Sequence, residues 1–228
     1  MNIKKGIYFL FLFFLSSSIW AQGTDHLGAI PSLNMNKKVD EKWSMNTKVE
    51  SRVIYKSVNP QGDIIKKYSH ELSDLTFIMS RSIGLSSRIS AGYMLRLEEG
   101  EIQQRFIQQY TLIQTKNGYR LAHRIVTDQT ISPSEKPEYR ARYRVSAEIP
   151  LNGKSLDTKE FYVRANNEYL NSVQNKQYDL EIRLVPLLGY VFSDKIKLEA
   201  GLDYRINSFL AKQTEQDFWF SINIFVEY

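Results

Sequence analysis

Apolar and polar residues alternate with a period of two through most of this chain, and each alternating stretch runs for about ten residues or more. Trp43, Met45, Val49, Val53 and Tyr55 alternate with Ser44, Asn46, Lys48, Glu50 and Arg52. Ile89, Ala91, Tyr93, Leu95 and Leu97 alternate with Arg88, Ser90, Gly92, Arg96 and Glu98, with Met94 on the polar side. Tyr139, Ala141, Tyr143, Val145, Ala147 and Ile149 alternate with Arg140, Arg142, Arg144, Ser146 and Glu148. Leu180, Ile182, Leu184, Leu188, Tyr190 and Phe192 lie opposite Asp179, Glu181 and Arg183. Ile196, Leu198, Ala200, Leu202, Tyr204 and Ile206 lie opposite Lys197, Glu199, Gly201, Asp203 and Arg205. A final stretch carries Phe218, Phe220, Ile222, Ile224, Val226 and Tyr228 on one face, with Ser221, Asn223 and Glu227 on the other. Less regular strands are predicted over 72–83, 102–115, 119–131 and 161–170.

Strands of soluble sandwiches average about five or six residues. A strand that crosses a membrane needs about 9 to 11 residues, of which only every second one must be apolar. The length of these strands, with tyrosines and phenylalanines near their ends, predicts an all-β fold: an antiparallel transmembrane β-barrel of about ten strands. Twelve strands follow if two have been fused in the reading. Bacterial single-chain barrels have even strand numbers, so 27–36, which contains Pro31, is expected as an N-terminal strap or partial strand. Short connections at 38–42, 84–87, 116–118 and 193–195 alternate with longer ones at 56–68, 171–177 and 207–216, as periplasmic turns alternate with extracellular loops. The connections 151–158 and 98–101 depart from that rule. The last strand is expected to pair with the first and close the ring, since an open edge cannot be satisfied in lipid.

The N-terminal residues change the picture from fold to compartment. Lys4 and Lys5, the apolar run 7–15 and Ala21 have the three-part layout of a secretory signal. Residues 1–21 are therefore read as a cleaved signal peptide and 22–228 as a single barrel domain. The apolar run is too short for a helix that needs about 20 residues to cross a bilayer. The chain has no cysteine, which excludes disulfides, thiolate metal sites and a lipidated cysteine. The formal charge is +5, and loss of Lys4 and Lys5 lowers it to +3. The basic residues are interleaved with apolar ones and form no basic run, so nucleic acid is not an expected partner. Export and alternation together predict a bacterial outer-membrane location in a Gram-negative cell. The expected partners are outer-membrane lipid and, during biogenesis, the barrel-assembly machinery. Oligomeric state is not legible.

Several short motifs carry a family resemblance: Arg105-Phe106 with Gln109-Tyr110, His123-Arg124, the run 139–144, Asn167-Glu168, Gly189-Tyr190, and Glu199-Ala200-Gly201-Leu202. In these the chain resembles domain-of-unknown-function family 2490, uncharacterised bacterial outer-membrane β-barrel proteins. The resemblance implies a barrel and supplies no activity.

Candidate chemistry lies on the polar face. Arg140, Arg142 and Arg144 share one face of one strand, which the alternation turns into the lumen. A narrow barrel fills its interior with side chains, and buried charges are tolerated when paired. The expectation is a lumenal charge network of Arg105, Arg124, Asp128, Arg140, Arg142, Arg144, Glu160, Glu168, Glu181, Arg183, Glu199, Asp203 and Arg205. Within it Glu168 is expected opposite Arg140 or Arg142, and Asp203 and Arg205 are expected to meet Arg183 and Glu181. Loss of Arg142 is expected to leave a carboxylate unpaired, at a cost of about 3 kcal/mol.

The alternative reading of the same arginines is an anion-attracting ladder in a narrow channel for small solutes. A lipid-modifying hydrolase would need a His base with a serine nucleophile. His26, His70 and His123 are the histidines available. His123 is the candidate, because its register faces lipid, yet no serine can be assigned to it. No metal or cofactor constellation is present, and the glycines inside strands, Gly92, Gly189 and Gly201, fit the relief of crowding in the wall. The functional expectation is a structural or interaction component of the outer membrane, not an enzyme. Phe220, Ile222, Ile224, Val226 and Tyr228 are expected to act as its assembly signal.

Overall fold

The computed structural model describes residues 25–59, 61–211 and 213–228, so the expected signal segment 1–21 lies outside the described residues. The alternating stretches become strands β1 (Asp25–Lys38), β2 (Trp43–Val58), β3 (Ile64–Ser82), β4 (Ser87–Glu98), β5 (Glu101–Lys116), β6 (Tyr119–Ile131), β7 (Glu138–Pro150), β8 (Phe161–Gln174), β9 (Gln177–Ser193), β10 (Ile196–Asn207) and β11 (Glu215–Glu227). Each pairs antiparallel with its neighbours in sequence, and the sheet closes on itself through β1 and β11. Among the described residues every element is a strand, so the all-β barrel expected from the alternation is the fold observed.

The strand count differs from the expected ten plus a strap. Residues 27–36 are the body of a full stave, β1, which pairs with β2 on one side and β11 on the other. In an up-and-down meander successive strands reverse direction, so the first and last of an odd number run the same way. Eleven strands can therefore close only through a parallel seam, and β1 and β11 are parallel, from Asp25 opposite Gln216 to Asn36 opposite Glu227. Pro31 has no backbone N–H to give to a ladder. The β1–β2 register skips Ile30 and Pro31 and resumes with Ser32 opposite Glu50, so the proline is absorbed as a local gap in a complete strand.

One rim of the barrel carries connections 39–42, 83–86, 117–118, 151–160 and 194–195, and the other carries 59–63, 99–100, 132–137, 175–176 and 208–214. The expected contrast between short and long connections is not reproduced, because much of the expected loop sequence is strand. Residues 171–174 and 177 extend β8 and β9 up to a two-residue turn at Asn175 and Lys176, both at positive φ, 50° and 64°. That is the backbone of the tight hairpin turn whose twist matches its flanking strands. The exception noted at 151–158 remains, as the longest connection of its rim. In the first turn Asp40 accepts hydrogen bonds from the backbone amides of Lys42 and Trp43, both at 2.7 Å. These amides hold its carboxyl below the ordinary carboxylate range.

The wall has two faces. Outward lie the apolar sets, with Phe220, Ile222 and Ile224 of β11 and Ile125, Tyr143 and Tyr169 of the middle strands exposed. Inward lie the polar sets and a few apolar plugs: Ile30, Ile54 and Trp219 form one buried cluster, and Met94, Ile107 and Val126 another. Met94, the apolar residue predicted on the polar face, belongs to the second. Two glycines let rings lie flat on the wall from inside. Gly28 sits opposite Trp219 across the parallel seam, and Gly189 opposite Tyr162. A Cβ on Gly28 would come within 2.4 Å of the Trp219 ring and 2.3 Å of the Val53 carbonyl oxygen. One on Gly189 would come within 2.2 Å of the Tyr162 ring.

Candidate functional site

The site with most chemistry is the arginine-rich wall formed by β5 to β9. Alternation along β7 puts Arg140, Arg142 and Arg144 on the inner face, and pairing sets them beside the inner faces of β6 and β8. Asp128 of β6 is fully buried and lies directly opposite Arg140. It accepts a hydrogen bond from Arg140 Nε at 2.6 Å, and Arg105 Nε lies 3.6 Å away. Arg142 Nη2 is 2.8 Å from Asp128 Oδ2, in an orientation that makes an ion contact without a hydrogen bond. Arg105 also donates to Thr130 Oγ1 at 2.8 Å. Three guanidiniums thus converge on one carboxylate.

Glu168 of β8 repeats the arrangement. It lies opposite Arg144 on β7 and opposite Arg183 on β9. Arg144 Nε donates to it at 2.7 Å, Arg183 Nη1 lies at 3.4 Å and Arg124 Nη2 at 4.0 Å. The expectation placed Glu168 opposite Arg140 or Arg142. The true register, set by the hairpin between β7 and β8, offsets it by one inward-facing residue to Arg144, so Glu168 and Asp128 divide the arginines between them. Arg124 and Arg144 are themselves cross-strand partners, two like charges in a position that normally disfavours them.

Two further groups line the lumen. Glu148 takes Arg120, at 3.0 Å, and Arg164, which also reaches Glu199 at 2.8 Å. Glu199 accepts the Tyr162 hydroxyl at 2.7 Å. Asp203 and Arg205, expected to meet Arg183 and Glu181, do not. Arg205 donates to Asp203 of its own strand at 3.0 and 2.8 Å, and Arg183 to Glu181 of its own strand. Two residues apart on one strand share a face, and that closeness wins over the cross-strand pair, where Arg205 stands opposite Arg183. Glu160 departs from the expected network altogether. It ends the 151–160 connection and accepts a hydrogen bond from Asn152 at 2.7 Å, because β8 starts one residue later.

Sequence reading missed Glu148, Arg164, Tyr162, the Asp74–Arg96 pair at 2.8 Å and the His26–Asp217 contact at 2.9 Å across the seam. The signal that finds them is the same inward phase, which already carries Glu148 on β7 and Arg96 on β4 and must be read through less regular strands for the others.

On the outer face, His123 points away from the lumen as its register predicts, and its Nδ1 lies 2.9 Å from the Tyr143 hydroxyl. Its hydrogen-bond partner is a phenol and not a serine, so the nucleophile that a hydrolase needs is not beside it. His70 lies 3.0 Å from Ser73 Oγ on β3. Among the described residues no group of three His, Cys, Asp or Glu side chains is arranged to hold a metal ion.

A closed all-β barrel with an interior of interlocked arginines and carboxylates is the class of protein that this fold and site define. Residues 28–216 match the family described as "Protein of unknown function (DUF2490)", and the chain belongs to that family. No curated protein and no solved structure matches it.

Proposed function

We propose that this protein is an integral barrel of the bacterial outer membrane, serving there as a structural or interaction component with a lumen plugged by its own side chains. The observation that carries the reading is the outer face. Leucine, isoleucine, valine and aromatic side chains stand exposed around the whole wall, while arginines and carboxylates are turned inward. In water that arrangement is inverted, since monomeric soluble proteins rarely expose contiguous apolar patches larger than a few hundred Å². In lipid it is the required one, and a closed barrel is one of the two structures that satisfy every backbone polar group there.

Aromatic residues strengthen the reading. Trp43, Tyr119, Phe161 and Phe192 stand exposed at one rim, and Tyr55, Tyr139 and Tyr178 at the other, as interfacial girdles do. Strands of 12 to 19 residues are long enough to cross the hydrocarbon and project beyond it. The assembly-signal reading of Phe220, Ile222, Ile224, Val226 and Tyr228 draws support from the outward position of the first three on β11, a strand whose two neighbours are β10 and β1.

The mature chain is expected to fractionate with outer membranes. Once folded in detergent it should migrate faster on unheated than on heated gels. Recovery as a soluble periplasmic protein overturns the reading.

A further inference from the structure

We propose that the wall formed by β6 and β7 holds a binding site for a doubly charged phosphate-type oxyanion inside the lumen, centred on Arg124, Arg142 and Arg144. This goes beyond membrane residence and requires a closed barrel whose filled lumen still admits a small anion at Arg124 and Arg144.

Charge is the first argument. Arg105, Arg124, Arg140, Arg142, Arg144 and Arg183 form one contiguous patch, and the carboxylates within 4 Å of them are Asp128, Glu138, Glu168 and Glu181. Six guanidiniums face four carboxylates, an excess of two positive charges. The other lumenal groups are closer to balance: Arg120 and Arg164 face Glu148 and Glu199, and Arg96 faces Asp74 and Glu98. The excess is therefore local. Buried charge without a counter-charge costs several kcal/mol, and a dianion removes the deficit where a monoanion removes half of it.

Free donors are the second argument. Arg124 Nε, Arg142 Nε and Arg140 Nη2 are buried and have no hydrogen-bond partner, against two such acceptors in the patch, Asp128 Oδ2 and Glu168 Oε1, and the Arg140 side chain is nine-tenths buried. An ion contact that fails to engage donors leaves a guanidinium fork able to take a second oxygen pair. Forks of this kind bind phosphate or carboxylate in a bidentate way.

Position is the third. Arg124 and Arg144 face each other across the β6–β7 ladder. Their side chains keep 32% and 27% exposure although both point inward, so the space between them is open to the lumen. Glu168 takes Arg144 closely, at 2.7 Å, and Arg124 only at 4.0 Å, so the like-charge pair shares one carboxylate and the Arg124 fork is the one left for a bridging anion.

The test uses the full barrel, folded in detergent, titrated with inorganic phosphate at neutral pH by calorimetry and by thermal unfolding. Saturable binding of one phosphate per barrel is expected, with a Kd in roughly the micromolar to millimolar range and a raised unfolding temperature. Arg124→Gln and Arg142→Gln are each expected to weaken binding about tenfold or more, and Lys195→Gln, in a turn at the rim, to leave it unchanged. Arg124→Lys keeps the charge but loses the fork and should recover only part of the affinity, which separates recognition from mere charge. Acetate should bind far more weakly than phosphate. Absence of saturable phosphate binding to the wild-type barrel overturns the proposal. So does stabilisation reproduced by potassium chloride of equal ionic strength, or acetate binding as tight as phosphate. A barrel that binds phosphate yet fractionates outside the membrane would leave this site standing and remove the proposed location instead.

Discussion

At the scale of single residues, the phase of alternation decides most of what is inside. Arg105, Arg124, Arg140, Arg142, Arg144, Arg183 and Arg205 lie among carboxylates on one face of their strands, because a one-residue slip would carry a charged set to the apolar face. What alternation leaves open is register between strands, and register decides partners. Glu168 meets Arg144 because the β7–β8 ladder pairs Pro150 with Tyr162, two residues beyond the register that would bring Glu168 to Arg142, and Glu160 is left in the connection with Asn152. This changes the expected cost of mutation. Asp128 is held by Arg140, Arg142 and Arg105 together, so Arg142→Ala leaves the carboxylate with two cations and does not orphan it as the sequence alone suggested. Asp128→Asn, by contrast, strands three buried guanidiniums at once. Urea unfolding from detergent is expected to show a loss of about 3–5 kcal/mol for Asp128→Asn and less than half of that for Arg142→Ala. Equal losses would mean that Arg142 alone carries Asp128.

At the scale of elements, the strands were legible where their outer face is unbroken, as in β7 and β10, and less so where a proline or an apolar plug interrupts it. Pro31 argued against a full strand at 27–36, since proline removes a ladder hydrogen bond. It is accommodated because two skipped positions of the β1–β2 ladder cost little when the β1–β11 ladder continues past them. The same seam depends on Gly28, whose missing side chain lets Trp219 lie against the backbone. Gly28→Ala is expected to destabilise the barrel by about 1–3 kcal/mol, because its methyl would meet the fixed Val53 carbonyl as well as the ring. Gly189→Ala should cost less, since the three nearest atoms there all belong to the Tyr162 ring and none to backbone. The temperature at which each variant loses its fast-migrating form on gels measures the order. Gly189→Ala proving the more damaging would place the critical glycine away from the seam.

At the scale of the whole molecule, a barrel with polar filling follows from the sequence, and its parity does not. Bacterial single-chain barrels have even counts, and nothing in local alternation distinguishes a terminal strap from a terminal stave. The difference lies in a long-range pairing between residues nearly two hundred positions apart. That pairing can be read directly in a chain with no cysteine of its own. Ser32 lies opposite Asn223, and its hydroxyl donates to the Asn223 side chain at 2.6 Å. The double variant Ser32→Cys, Asn223→Cys is expected to cross-link on oxidation into a looped species of altered gel mobility. The pair Leu33→Cys, Asn223→Cys, one step out of register and on opposite faces, should not. Efficient cross-linking of the second pair and not the first would show a different seam.

An odd number of staves also gives the molecule a polarity that an even one lacks. The first strand enters at one rim, at Asp25, and the last leaves at the other, at Glu227. Joined by a short linker, the ends of an even-numbered barrel would meet at a single rim and the ring could be cut open anywhere else. Here such a linker would have to thread the interior between its charged side chains or run down the outside of the wall. In the membrane location proposed above, cargo attached before the first strand and cargo attached after the last would face different solutions.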